Sequence, residues 1–175
     1  PKEDQRFAKS FINTEHAEVC KTACYKDIQN YRNLNYHGIL DWRLGLGLIR
    51  VFSDSSYVSG LDNDWSFIEI RDWREMALKL AMEFADSIDK GILENPDNIS
   101  QHNGIPIISY KSINIVIVRP FWNHIGGHHT ENNSLTDAIA MCKAPERIFY
   151  ADTFNLIRRM SWSYQEFYKW LGNLN

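Results

Sequence analysis

Cysteine is scarce in this chain, with three residues (Cys20, Cys24 and Cys142) among 175. They are too few and too unevenly placed for a disulfide framework, so a reducing cytoplasm is the expected setting. No apolar run approaches the roughly 18–20 residues that cross a bilayer. The opening Pro1-Lys2-Glu3-Asp4-Gln5-Arg6 leads into no apolar signal core, so no membrane or secretory role is expected. A chain that opens on Pro1 and not on methionine is expected to be an excised or processed piece. Surplus positive charge is missing too: 19 Lys and Arg against 22 Asp and Glu give a net charge of -3 and a pI of about 6.1. No global basic field marks a nucleic-acid binder, and any such contact must be local. Nor is there a G-x-x-x-x-G-K-[ST] loop to cradle phosphates, or a D-E-x-[HD] carboxylate pair for magnesium. The chain by itself is therefore not expected to be an ATPase.

A hydrophobic fraction of 44% with 13% aromatics is enough for a packed core and is the opposite of a disordered composition. Residues 1–37 are polar, cysteine-bearing and rich in Asn and Tyr, without strong periodicity. They form one expected segment, and residues 38–175 a second. From His37 to Ser53 the pattern is that of a helix that buries most of its surface, weakened by Gly45 and Gly47. An amphipathic helix is expected from Trp73 to Lys90, where Met76, Leu80, Phe84 and Ile88 share a face. Gly91 to Gly104 reads as a loop. Two strands follow, Ile105–Tyr110 and Ile113–Val118, joined at Lys111-Ser112, the second apolar enough to be central. A polar loop, a helix from Leu135 to Lys143, a strand at Arg147–Tyr150 and a helix from Tyr164 to Leu171 complete the order. This predicts an α/β fold (α+β being the alternative): a small mixed sheet flanked by helices, preceded by a short cysteine-bearing module. The same order resembles a restriction-endonuclease-like core whose catalytic positions are empty.

One stretch carries more specific information: Cys20-x3-Cys24-Tyr25-Lys26-Asp27-Ile28-x2-Tyr31-x-Asn33-x3-His37-x2-Leu40-Asp41. It resembles the C-terminal metal-binding region of DEAD/DEAH-box-type superfamily 2 helicases, where a cysteine cluster precedes a pattern close to C-Y-x-C-L-x-x-Y-x-N-Q-x-x-H-x-x-L-D-R. Cys24, Tyr25, Tyr31, Asn33, His37, Leu40 and Asp41 match in register, and Ile28 replaces Leu. The stretch Asp152-Thr153-Phe154-Asn155-Leu156-Ile157-Arg158-Arg159 is similar to the end of the same class of chain. The resemblance implies upstream motor lobes as partners, with ATP and magnesium bound only there, and a DNA or RNA track. Two departures stand out: Asp27 occupies the place of the second close cysteine, and Leu34 that of Gln. Structural zinc takes four ligands, usually dominated by thiolates. His16, Cys20, Cys24 and Asp27 lie four, four and three residues apart, so a helical turn could gather them into a mixed N, S, S, O zinc site. The alternative is a degenerate module that has lost its zinc with a ligand, its cysteines now ordinary small apolar residues. That is the simpler of the two readings.

Other candidates divide between chemistry and packing. His124, His128 and His129 surround Gly126-Gly127, which favours a surface loop over a metal-binding helix. Asp62, Asp64 and Glu69, the last in Glu69-Ile70-Arg71, invite a metal-dependent nuclease reading. Arg119, Arg158, Arg159 and Lys169 are the candidate nucleic-acid contacts, the last three interleaved with Trp162, Tyr164, Tyr168 and Trp170. The leading expectation is a non-catalytic C-terminal accessory domain that docks a helicase-like motor on nucleic acid or on a partner. A nuclease domain attached to a motor and a protein-interaction module of a larger complex are the alternatives.

Overall fold

The computed structural model describes residues 14–89, 96, 98–110, 112–122 and 133–174. Its contacts divide the chain into a first unit, up to Ser59 together with Asp64–Asp72, and a second, Gly60–Asn63 with Trp73 onward. The helix expected to open the second segment at residue 38 therefore packs with the cysteine-bearing segment instead. The reason is its first turn, where Trp42 is the centre of a small core shared with Ala17, Cys20 and Leu46.

The first unit contains α1 (Thr14–Val19), a 3-10 helix (Tyr31–Tyr36) and α2 (Trp42–Ser53). The helix expected from His37 begins at Trp42. Before it the chain closes a turn, with the N–H groups of Ile39 and Leu40 donating to the Tyr36 carbonyl at 2.9 and 3.2 Å. Asp41 then adopts extended backbone and caps α2, its Oδ1 accepting from the N–H groups of Arg43 and Leu44. Such a cap satisfies donors that a helix start leaves orphaned. Asn30 and Asn33 do the same for the 3-10 helix by a reciprocal capping box. Burial on α2 is one-sided, whereas a helix burying most of its surface was expected. Trp42, Leu46 and Gly47 face the core, while Leu48, Val51 and Phe52 are exposed.

The second unit holds α3 (Trp73–Asp89), β1 (Asn98–His102), β2 (Ile105–Ser109), β3 (Asn114–Val118), α4 (Ser134–Ala140), β4 (Ile148–Asp152) and α5 (Thr153–Gly172). The four strands form one mixed sheet in the order β1-β2-β3-β4. The first two pairings are antiparallel and β3·β4 is parallel, which requires a crossover, and α4 lies in that connection. Every residue of β3 is buried, as its unbroken apolar run leads one to expect of a central strand. β1 lies within the expected loop. A tight Asn103-Gly104 turn produces it: both residues have positive φ (48° and 80°), the signature of a two-residue hairpin. A Cβ on Gly104 would come within 2.2 Å of the Arg74 Cδ, so sterics as well as φ call for glycine there.

The expected helices at 73–90 and 135–143 correspond to α3 and α4. The last helix starts eleven residues before the expected Tyr164, at Thr153, capped by Asp152 through the Asn155 N–H. It is kinked at Arg159 (φ -153°, ψ 55°). Past the kink, buried Phe167 packs on Phe84 of α3 and Phe149 of β4, with ring centroids 6.2 and 5.3 Å away. Among the described residues no helix is long and apolar enough to cross a membrane.

Candidate metal centre

The metal-ligand residues expected from the sequence converge. One ligand atom from each of His16, Cys20, Cys24 and Asp27 lies within 4.8 Å of the other three. Three separations are shorter. Asp27 Oδ2 is 3.1 Å from His16 Nε2 and 3.1 Å from the Cys20 Sγ, and the Cys24 Sγ is 3.5 Å from His16 Nε2. A tetrahedral ion with bonds of about 2.0–2.3 Å spaces its ligand atoms by about 3.3–3.8 Å. Imidazole, two thiols and a carboxylate at these separations could hold a divalent metal ion.

The cluster is assembled from α1 and the loop after it, and not from a single helical turn. α1 supplies His16 and ends just before Cys20, while Cys24 and Asp27 sit on the following turns. Asp27 is the organiser. Its side chain is sealed from solvent, its two oxygens accept from the Cys24 N–H at 2.8 and 2.9 Å, and Oδ1 also accepts from the Ile28 N–H. Burial alone would raise this carboxyl, but those backbone donors and the Cys20 thiol outweigh it and hold it below the usual carboxylate range. The Cys20 thiol moves the other way. Burial first, then the side chains of Asp27 and Cys24, push it up to about 12. Cys20 is thus a protonated thiol that donates to Asp27, and a divalent cation at the centre would displace that proton.

Two side chains of α2 fix the loop from behind, and sequence reading did not single them out as functional. The indole N–H of Trp42 donates to the Cys20 carbonyl at 2.9 Å. Arg43 donates to the carbonyls of Ala17, Cys20 and Lys21, each at 2.8 Å, and pairs with Asp72 at 3.6 Å. The guanidinium fork thereby caps the end of α1 and sets the direction of Cys20. The only signal for this in the sequence is a Trp-Arg pair directly after the Asp41 cap. Supports of this kind typically weigh 10–100-fold in metal affinity. Arg43→Lys keeps the charge but not the fork, and is expected to weaken metal binding by roughly tenfold or more. Competition with a chromophoric chelator measures it.

The remaining motif residues have local structural roles. Asn33 Nδ2 donates to the Ile28 carbonyl at 2.7 Å, and His37 Nε2 lies 3.0 Å from Asn33 Oδ1 and 3.1 Å from the Asn30 carbonyl. The candidate nucleic-acid contacts are not equivalent. Arg119, just after β3, is only 2% exposed and so is not presented to a polyanion. Arg158 lies over Phe154 at 4.3 Å. Lys169 is ion-paired with Glu166 at 2.6 Å. Arg159 is exposed, stacked over Trp162 at 4.2 Å and held by Asn155 Oδ1 at 2.6 Å.

Of the acidic group, Glu69 lies in a turn and not on a strand. Among the described residues, Asp62, Asp64 and Glu69 do not form a metal-binding cluster. Cys142 is a buried free thiol. His124, His128 and His129 lie outside the described residues. Comparison with protein-family profiles, curated proteins and solved structures returns no match to this chain.

Proposed function

We propose that this chain is a non-catalytic, zinc-stapled accessory domain of a helicase-like ATPase, which docks the motor on nucleic acid. The observation that carries the reading is the convergence of His16, Cys20, Cys24 and Asp27, inside the one stretch whose motif resembles the metal-binding region of such motors. Asp27 stands in for the missing thiolate as the fourth donor, so a lost cysteine need not mean a lost site. Zinc suits a donor set of two sulfurs, an imidazole and a carboxylate. Bound there, it would staple α1 to the loop that follows, a structural role and not a catalytic one. ATP and magnesium belong to the motor lobes that the resemblance calls for. The non-catalytic reading is supported by β1, β2 and β3, which carry no acidic side chain, and by the acid that ends β4, Asp152, which serves as the cap of α5.

The test uses the purified chain. Elemental analysis is expected to find about one zinc per chain, with no ATP turnover. Apparent zinc affinity is expected to rise with pH through the neutral range, by about tenfold per unit for each proton displaced, because Cys20 stays protonated far above neutrality. A chain that takes up no zinc, or that hydrolyses ATP, overturns the proposal.

A protein-interaction role is the second reading. It is supported by the outward face of α2, where Leu48, Val51 and Phe52 are exposed, Phe52 by 82%. Retention of the motor lobes on immobilised chain, lost with Phe52→Asp, is the outcome that would favour it.

A further inference from the structure

We propose that the first unit binds single-stranded nucleic acid on the surface around Tyr25 and Tyr31, with Lys21, Lys26 and Arg32 meeting the phosphates. The chain as a whole is acidic, yet from Val19 to Leu40 its only carboxylate is Asp27, and that side chain is sealed from solvent. Over the same stretch Lys21, Lys26 and Arg32 are exposed, so solvent meets three cations and no anion. Of the later carboxylates of this unit, Asp41 caps α2 and Asp72 pairs with Arg43, while Asp54 and Asp64 are exposed outside the stretch. Glu18 is the last exposed one before the stretch.

Three tyrosines stand among these cations, Tyr25 56%, Tyr36 59% and Tyr31 87% exposed. Rings so open add little to the core. Two of them are nevertheless held in place: Tyr25 packs against Tyr31 at 5.6 Å and edge-on against His37 at 5.4 Å. His37 is anchored in turn by Asn33 and Asn30. Pre-positioned rings interleaved with unpaired cations are what unstacked bases and their phosphates bind. A duplex hides its base faces, and an apolar protein partner gains nothing from three cations. The patch is also tied to the metal centre, since the Lys26 N–H donates to the Cys24 Sγ at 3.4 Å.

This deepens the docking reading and rests on it for the choice of polymer. The test is fluorescence anisotropy of a labelled oligothymidylate of roughly 15 nucleotides with the zinc-loaded full chain at low salt. Tyr31→Ala is expected to weaken binding about tenfold, and Tyr31→Trp to retain it. Lys26→Glu with Arg32→Glu is expected to abolish it, and Arg32→Ala to flatten the logarithmic salt dependence by about 0.7. Unchanged zinc content shows that each variant is folded.

Equal affinity for a duplex of the same length overturns base stacking. Binding that survives Tyr31→Ala and the double reversal, but falls with Arg159→Ala or Trp162→Ala, overturns this site and leaves the docking reading standing on α5. No binding to any strand overturns both.

Discussion

Asp27→Ala is expected to destabilise the first unit by about 3–5 kcal/mol and to abolish metal binding. The carboxylate accepts from the Cys24 and Ile28 N–H groups, receives the Cys20 thiol and faces His16. Each buried donor left without an acceptor costs about 1–3 kcal/mol, and alanine strands two backbone N–H groups at once. Asp27→Asn keeps an acceptor oxygen of the same shape and is expected to lose about half as much, yet to bind metal poorly. Asp27→Cys supplies the thiolate of the helicase pattern without the short acceptor, so its fold is expected to depend on zinc.

The pH dependence follows from the same contacts. The Asp27 carboxyl lies lower in the folded chain than in the unfolded one, whose value is about 3.9. Its contribution is therefore complete above about pH 4 and disappears as pH falls through the folded value. Urea unfolding followed by tryptophan fluorescence at pH 7 and in acid measures both effects. A variant as stable as wild type at pH 7 would remove Asp27 from the centre of this network.

What could be read from the sequence depended on how far each signal acts. β3 announced itself, because five successive buried positions need an apolar run that no surface element would carry. The convergence of His16, Cys20, Cys24 and Asp27 was legible from spacing and resemblance, although what gathers them is the end of α1 plus a loop and not a helical turn. β1 was not legible by periodicity, since Asn-Ile-Ser-Gln-His is a polar edge strand held by its partner. The Asn103-Gly104 dipeptide was the available clue. The early start of α5 was hidden because the segment before Tyr164 is broken at Arg159 and contains Ser161, Trp162 and Ser163, weak helix formers that tertiary contacts override. The Arg43 clamp was unreadable in principle, because its three carbonyl partners lie more than twenty residues upstream.

Glu69→Gln is expected to lower stability by about 2–3 kcal/mol and to leave magnesium- or manganese-dependent plasmid cutting at background. In the sequence, Glu69-Ile70-Arg71 imitates the E-x-K of metal-dependent nucleases. In the fold it occupies a turn closed by the N–H groups of Ile70 and Arg71 on the Phe67 carbonyl, at 3.0 and 2.9 Å. A carboxylate serving a metal must offer lone pairs towards an accessible cation. Glu69 is buried instead; its Oε1 accepts from Tyr57 Oη at 2.9 Å and forms an ion pair with Arg50 Nε at 2.5 Å. Arg50 itself lies over the Phe67 ring at 4.8 Å. Removing one member of a buried pair costs about 3–5 kcal/mol, and the lower figure here reflects an Arg50 side chain that still reaches water. Replacing both, as Arg50→Met with Glu69→Leu, is expected to recover much of the loss, because no buried charge then lacks its counter-ion. If wild type cuts plasmid and Glu69→Gln stops it without loss of stability, the ion-pair account fails and Glu69 becomes a catalytic residue. If stability falls and cutting stays at background, Glu69 is a buried tie between α2 and the turn that follows it.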